Sequence, residues 1–226
     1  MARELQLGLN TGYWPSRPPG PPPGIEATIA EAERLGFDSM WTAEAYGSDV
    51  LTPLAWWGAR TEKLRLGTSI MQMSARQPTA AAMAALTMDH LSGGRFILGL
   101  GVSGPQVVEG WYGRPFAKPL ARTREYIGIV RDIFARQGPV TNDGPHYPLP
   151  YPNGTGLGKP LKSTVHPVRE DIPIFLGAEG PKNVALAEGF ARDGARRSWD
   201  DFEVCATVPV IIHDDTEQAA DFLRPM

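Results

Sequence analysis

The feature that most constrains the fold is a regular alternation of strand patterns and helix patterns over residues 5–136. Four short apolar segments have the length and residue types of strands, and a helix pattern follows each of them. The predicted strands cover 5–10, 37–42, 64–70 and 96–101, and the predicted helices cover 25–35, 52–60, 78–91 and 119–136. Strict alternation of this kind predicts an α/β fold in which helices cover a parallel sheet.

The alternation stops at an inserted loop region, residues 138–170, which contains seven prolines. A loop of this length is unusual inside a compact domain. It is either functional, as a lid or a binding arm, or it is a packing insertion, and the sequence favours neither. Strand patterns return at 172–177 and at 202–212, and further helices are predicted from near Pro181 and from 214.

The second half of the chain departs from the rhythm of the first half. The helix that begins near Pro181 continues into residues 188–192 with no strand pattern between them, although every earlier helix is followed by a strand. No closing strand follows the final helix before Met226. We therefore expect a segment to be missing near Ala187 and Glu188, and another beyond the last residue.

Composition limits the classes of function. A length of 226 residues predicts a single domain over 1–226, and a net charge of −3 argues against nucleic acid as a partner. One cysteine excludes an internal disulfide and fits a reducing compartment. No signal-peptide core and no apolar run of roughly 20 residues is present. These observations predict a cytoplasmic, soluble protein with no membrane partner, and we predict no metal site.

The segment around residues 99–104 invites a specific interpretation. Gly99-x-Gly101-x-x-Gly104 matches the fingerprint of dinucleotide-binding folds. That fingerprint normally opens its strand–helix–strand unit, whereas three strand–helix pairs precede it here, and Pro105 follows at once. A dinucleotide-binding dehydrogenase is therefore disfavoured. Glycines at a strand end still indicate that the backbone closely approaches another group.

Four segments in order carry a resemblance to a known family. They are Leu35-Gly36-Phe37-Asp38-Ser39-Met40-Trp41, Asp89-His90-Leu91-Ser92-Gly93-Gly94-Arg95, the strand from Phe96 to Gly101, and Gly177-Ala178-Glu179-Gly180-Pro181-Lys182. Together they resemble the luciferase-like monooxygenase superfamily, in its coenzyme F420-dependent, actinobacterial branch. The resemblance implies a (β/α)8 TIM barrel with a long insertion, of which segments around the sixth and eighth strands are missing.

A barrel places its chemistry at the carboxyl ends of its strands. Asp89 and His90 precede the fourth strand and are excluded from the site on that ground. Family members carry a non-proline cis peptide after the third strand, which maps to Ser69–Ile70. The resemblance further implies cofactor contacts at three strand ends, which are Ser69, Ile70 and Gln72, then Gly101, Val102, Ser103 and Gly104, and finally Gly177, Ala178, Glu179, Gly180, Pro181 and Lys182.

The last of these segments also has a physical rationale of its own. Glycines, free backbone N–H groups and Lys182 lie at a predicted helix N-terminus, which is a site suited to an anion. A plain strand-to-helix turn with Pro181 in the first helical position explains the same residues. The resemblance favours binding of the cofactor phosphate. The acidic tail of F420 further suggests a role for Arg76, Lys159, Lys162 or Lys182, although solvated surface charge accounts for each of them singly.

Two acidic residues are the candidates for proton transfer. Glu44 ends the second strand between Trp41 and Tyr46, where apolar surroundings can raise the pKa of a carboxyl group; a helix cap or an exposed acid is equally compatible. Glu109 follows the glycine-rich strand end by about a helical turn. Four aromatic residues are predicted to surround a flat, apolar substrate, namely Tyr13, Trp14, Tyr46 and Trp111.

The resemblance implies an oxidoreductase that transfers a hydride between C5 of coenzyme F420 and an organic small molecule. One alternative is a monooxygenase of the same superfamily that uses reduced FMN and oxygen. A second alternative is a binding protein without enzymatic activity, because two barrel strands are expected to be missing. Dimers are common in the family, so a homodimer is also expected.

Overall fold

The computed structural model describes residues 5–12, 19–193, 202–211 and 213–224. Tyr13 and Trp14, two predicted substrate contacts, lie outside these residues. The contacts divide the chain into two compact units, Met1–Glu188 and Gly189–Met226. In chain order the elements are β1 (Gly8–Gly12), α1 (Ile25–Arg34), β2 (Ser39–Thr42), α2 (Leu51–Gly58), β3 (Arg65–Thr68), β4 (Met71–Gln72), α3 (Pro78–Leu91), β5 (Phe96–Gly101), α4 (Pro105–Gly110), α5 (Pro119–Ala135), β6 (Ile174–Leu176), α6 (Pro181–Asp193) and α7 (Thr216–Leu223).

The strands of the first unit form one parallel sheet in the order β1-β2-β3-β5, and β4 and β6 also pair with β5. β3 lies within the predicted third strand, 64–70, and β4 continues it beyond the predicted end, because both pair with β5, one at Leu66↔Phe96 and the other at Met71↔Leu100. The predicted parallel α/β sheet is confirmed. The predicted non-proline cis bond between Ser69 and Ile70 is also confirmed, and it lies between β3 and β4.

β5 is the centre of the core, and all six of its residues are buried. The predicted helices α1, α2, α3 and α5 form within one or two residues of their expected ends, and α3 has the expected bounds. Apolar faces of α3 and α5 pack together over the sheet, with Leu86 and Val130 fully buried. The sequence does not predict α4, which has six residues. An apolar period cannot be recognised over so few positions.

Glycines on β5 serve contacts between neighbouring strands. A Cβ atom on Gly99 would lie 1.8 Å from the carbonyl oxygen of Thr68. The Thr68 hydroxyl donates to the Gly99 carbonyl and accepts from the Gly99 N–H, each at 2.8 Å. A Cβ atom on Gly101 would lie 2.6 Å from the Ile70 side chain. The groups that the backbone closely approaches at these two glycines are therefore residues of the neighbouring strand segment, Thr68 and Ile70.

The inserted region, residues 138–170, is attached to α5. Its chain forms isolated antiparallel bridges, Val140↔Leu161 and Asn142↔Leu149. The Glu125 carboxylate on α5 accepts hydrogen bonds from the N–H groups of His146 and Tyr147, at 3.0 and 3.1 Å. Buried carboxylates that accept several N–H groups fix a loop strongly. Packing therefore accounts for part of this insertion.

A buried ion pair lies at the amino end of β5. Asp89 is completely buried, and its carboxylate accepts hydrogen bonds from Arg169 at 2.7 and 3.0 Å. Arg169 also donates to the Phe96 carbonyl, at the start of β5. This pair ties the end of the inserted region to α3 and β5, which agrees with the exclusion of Asp89 from the catalytic site.

One predicted strand does not form in the second unit. Residues 202–211 form no strand, although 202–212 carries a strand pattern. Val204, Val208 and Val210 are each at least 70% exposed. Alternating valines indicate a potential strand, but a strand also needs a partner ladder, and none of the described strands pairs with this segment. α7 forms as expected, with Asp215 accepting from the N–H groups of two first-turn residues. Among the described helices, none is both long and apolar enough to cross a membrane.

Replacing Asp89 with asparagine should lower the free energy of unfolding by about 3 kcal/mol, because it leaves the Arg169 charge without its carboxylate. Urea denaturation followed by circular dichroism measures this change. Glu31→Gln, which breaks the exposed Glu31–Arg34 pair, is the matched control and should change stability little. Equal effects of the two substitutions would contradict a structural role for the buried pair.

Candidate active site

Several predicted cofactor contacts converge where three strands end. The Gly177 N–H donates to the Leu100 carbonyl at 2.9 Å, which aligns the end of β6 with the end of β5. A Cβ atom on Gly177 would lie 3.3 Å from Cγ2 of Ile70 and 3.9 Å from Cα of Gly101. Ile70, Gly101 and Gly177 therefore form a small cluster at the carboxyl edge of the sheet. An apolar side chain, Ile70, lies at its centre, on the cis peptide bond.

Gln72 contributes a buried polar group beside this cluster. The residue is 1% exposed, and its Nε2 donates to the carbonyl oxygens of Glu44 and Ala45, at 3.2 and 3.0 Å. These two carbonyl acceptors fix the orientation of the amide. Its Oε1 is buried and has no hydrogen-bond partner among the residues that the structure describes. An acceptor in this state favours a ligand with an N–H or O–H donor, since an unpaired buried oxygen costs free energy.

Glu44 is held on several sides. Its carboxylate accepts two hydrogen bonds from Arg76, at 2.7 and 2.8 Å, and one from the backbone N–H of Gln72 at 3.0 Å. The side chain is 6% exposed. Burial by itself would lower the pKa of Arg76, but the bonds and charge of Glu44 outweigh it and raise that pKa. The Glu44–Arg76 pair thus fixes the segment from β4 to α3 and supports the position of Gln72.

The end of β5 turns directly into α4. Ser103 adopts a left-handed conformation, with φ of 57°, and Gly104 is the N-cap of α4. Val102 and Ser103 are partly exposed at this turn. Glu109, on α4, is exposed and accepts a hydrogen bond from the Phe116 N–H at 3.1 Å. The acid therefore closes the connection between α4 and α5 while its second oxygen stays without a donor among the described residues.

The segment from Gly177 to Lys182 forms a strand-to-helix turn, as expected. The N–H groups of Asn183 and Val184 donate to the Gly180 carbonyl, which begins α6 at Pro181. Gly177, Glu179 and Lys182 are exposed. The first N–H groups of a helix and its positive dipole end attract anions, so the geometry is compatible with a phosphate.

Two of the predicted substrate aromatics lie on the surface. Tyr46 and Trp111 are each 64% exposed. Tyr112, which the sequence analysis did not select, donates its hydroxyl to the Ala45 carbonyl at 3.2 Å. Burial, followed by the Glu44 charge, raises the pKa of this hydroxyl. In the sequence, its position directly after Trp111 is the signal that indicates this residue. Of the basic residues considered for an acidic tail, Lys159 and Lys162 are exposed, and Arg76 is paired with Glu44.

Comparisons with known proteins identify the family and the fold. The family model "Luciferase-like monooxygenase" matches residues 10–190. Rv3520c of Mycobacterium tuberculosis, named as a candidate coenzyme F420-dependent oxidoreductase, is 58% identical over all of this chain and 72% of its own length. That alignment extends over 252 positions against the 226 residues here, so Rv3520c has residues without a counterpart in this chain.

Other relatives are more distant. The 5,10-methylenetetrahydromethanopterin reductase of Methanolobus tindarius is 33% identical over 72% of this chain and 46% of its own length. The F420-dependent tetrahydromethanopterin reductase of Methanopyrus kandleri matches in structure with a TM-score of 0.66, covering 82% of this chain and 53% of the reductase at 23% identity. The chain thus spans about half the length of these two reductases. Its parallel sheet is part of a TIM-barrel fold. With the family model matching most of its length, the chain belongs to the luciferase-like monooxygenase family.

Proposed function

We propose that this chain contributes the cofactor side of an F420-dependent oxidoreductase that acts on a small organic molecule. The observation that carries the proposal is the buried Oε1 of Gln72, which has no hydrogen-bond partner among the described residues and belongs to the residue that pairs with Gly101 of the cluster. A flat ring with an N–H group fits an apolar contact next to a single buried acceptor. Relatives named as F420-dependent support the same cofactor.

The residues present fit a deazaflavin. Bound F420 would supply the ring carbon that accepts or gives up the hydride. The Ile70 side chain would support the ring from one side, and Gln72 Oε1 would accept from a ring N–H. The Gly177 N–H is used by the Leu100 carbonyl and Pro181 has no N–H group, so the remaining backbone N–H groups between Ala178 and Lys182 would hold the phosphate at the start of α6, where the helix dipole favours negative charge.

The two acids separate into different proposed roles. Glu44 accepts three hydrogen bonds and is nearly buried, so we assign it to positioning Gln72 and Arg76. Glu109 accepts one hydrogen bond from Phe116 and is exposed. A proton-transfer group needs a free oxygen near solvent or substrate. Glu109 is therefore the proposed partner for the proton that accompanies the hydride, and catalysis by either acid stays a prediction. A homodimer and a cytoplasmic location also stay predictions.

Binding titrations distinguish the candidate functions. The purified chain should quench or shift the fluorescence of F420 on titration and should bind FMN at least about tenfold more weakly, a difference of about 1.4 kcal/mol. Tighter binding of FMN would replace the proposal with the flavin monooxygenase alternative, for which a solved FMN complex with the same fold provides the precedent. Binding of F420 without turnover of any reduced or oxidised substrate would favour the non-enzymatic alternative.

Gln72→Met should weaken F420 binding by about tenfold, because it removes the buried acceptor while keeping the volume of the side chain. Fluorescence titration gives the dissociation constant. Gln137→Met, on an exposed residue whose amide donates to the Ala135 carbonyl, is the matched control and should leave the constant unchanged. Thermal unfolding checks that the Gln72 variant is folded. A folded Gln72 variant with undiminished affinity contradicts the assignment.

Lys182→Gln should weaken binding of F420 two- to fivefold, roughly the effect of one exposed charge near a phosphate. The same substitution should not alter binding of the deazaflavin that lacks the phosphate and the tail. Titrations of both compounds at low and high salt measure the difference. Equal weakening of the two compounds would show that Lys182 acts on the ring or on folding instead of on the phosphate.

A further inference from the structure

A cavity of about 310 Å³ lies between the β4–α3 connection, the α4–α5 connection and the inserted region. Its volume is at the lower end of the range for small-molecule pockets. Basic, polar and apolar side chains line it, principally Ser74, Arg76, Arg114, Phe116, Arg122 and Tyr147. The sequence does not predict this combination, because its members come from distant parts of the chain.

The charge of the cavity is one-sided. Three arginine side chains line it, and no carboxylate does. Arg76 is neutralised by Glu44 and also contacts Asp49 at 3.4 Å. Arg122 donates to the Ala117 carbonyl at 2.9 Å. Within the described ranges, neither Arg114 nor Arg122 has an acidic partner. Arg122 also hydrogen-bonds to the Tyr147 hydroxyl, so its guanidinium group is fixed at the cavity wall while the positive charges of both arginines stay uncompensated.

Acidic groups near the cavity are already occupied. Glu125 lies behind His146 and Tyr147, and its Oε2 accepts the N–H groups of both residues. Burial raises the pKa of the Tyr147 hydroxyl, and Arg122 and Arg114 act against this rise. The two guanidinium groups therefore act on the same hydroxyl. A ligand anion placed there would meet two cations and a hydroxyl donor.

Two helices add to the positive potential. α3 and α5 both begin at the cavity wall, where Gln77 is the N-cap of α3 and Pro119 is the first residue of α5. Helix N-termini stabilise negative charge within their first turn. The Ser74 hydroxyl, which also belongs to the lining, is buried and has no hydrogen-bond partner in the described part of the chain. An unpaired buried hydroxyl in a cavity lined by arginines favours a polar ligand group, because buried polar groups are normally hydrogen-bonded.

Apolar residues complete the cavity and connect it with the cofactor side. Met73, Val108 and Phe116 offer an apolar surface for a carbon skeleton. Val102 belongs to the lining as well, directly after Gly101 of the strand-end cluster. A ligand in the cavity therefore lies next to the predicted cofactor contacts. We propose that this cavity binds the carboxylate or phosphate group of a small organic anion, held by Arg114, Arg122 and the Ser74 hydroxyl.

This proposal stands without the cofactor assignment, because it depends only on the cavity. Isothermal titration calorimetry with inorganic phosphate and with glutarate tests it on the whole chain. Arg114→Gln with Arg122→Gln should weaken binding of both probes at least about tenfold, as expected on loss of charge-assisted hydrogen bonds. Ser74→Ala should weaken binding by a few fold without any change in net charge.

The control removes the same two charges elsewhere. Lys63→Gln with Arg124→Gln changes two exposed residues outside the cavity lining and should leave binding of both probes unchanged. Thermal unfolding of every variant establishes that it is folded. The proposal is overturned if neither probe binds to the unaltered chain, or if the control pair weakens binding as much as the arginine pair does.

Two arms identify the source of the anion. If the glutamyl tail of F420 fills the cavity, F420 displaces glutarate, and the arginine pair weakens binding of F420 but not of its tail-less deazaflavin. If a substrate supplies the anion, glutarate binds equally well in the presence of F420. Both outcomes support an anion site and assign its occupant. Failure of F420 to bind at all would refute the proposed function while the phosphate and glutarate titrations still test the cavity.

Discussion

The contact between Gly99 and Thr68 is the constraint on which the rest of the site depends. β5 approaches β3 so closely at this point that no residue with a Cβ atom fits at Gly99. The Thr68 hydroxyl then bonds to both backbone groups of Gly99. Immediately afterwards the third strand is interrupted at Ile70 and resumes as β4. Close packing of two strands thus precedes the turn that carries the predicted ring contact, and Gly101 gives the Ile70 side chain its space.

Two buried carboxylates form ion pairs, one at the carboxyl ends and one at the amino ends of the parallel strands. Glu44 binds Arg76 at the carboxyl edge, and Asp89 binds Arg169 at the opposite edge. Each pair joins segments that are distant in sequence. Desolvation makes such pairs uncertain contributors to stability, yet loss of one partner is costly because the other charge is left uncompensated. Their main effect is therefore on position, and at the carboxyl edge Glu44 also orients Gln72 through hydrogen bonds from its amide and backbone N–H groups.

The sequence predicts what depends on local pattern and misses what depends on distant partners. Strand–helix alternation was sufficient for the parallel sheet, and the family resemblance was sufficient for the cis bond at Ser69–Ile70. The ion pair of Glu44 could not be foreseen, since Arg76 is 32 residues away and either side chain alone is compatible with solvent. Residues 202–211 illustrate the converse. Their alternating pattern is genuine, but pairing with another strand is a property of the fold and not of the segment.

The fingerprint from Gly99 to Gly104 has a different meaning in the folded chain from the one its letters indicate. Its first two glycines accommodate Thr68 and Ile70, so neither serves a phosphate. The positive dipole end of a helix lies instead at the start of α6, and arginines line the cavity at Arg114 and Arg122. Gly101 contacts Gly177 on one side, and its neighbour Val102 lines the cavity on the other. Gly101 and Val102 therefore lie between the two proposed binding regions. A ligand in either region would contact the turn that follows β5.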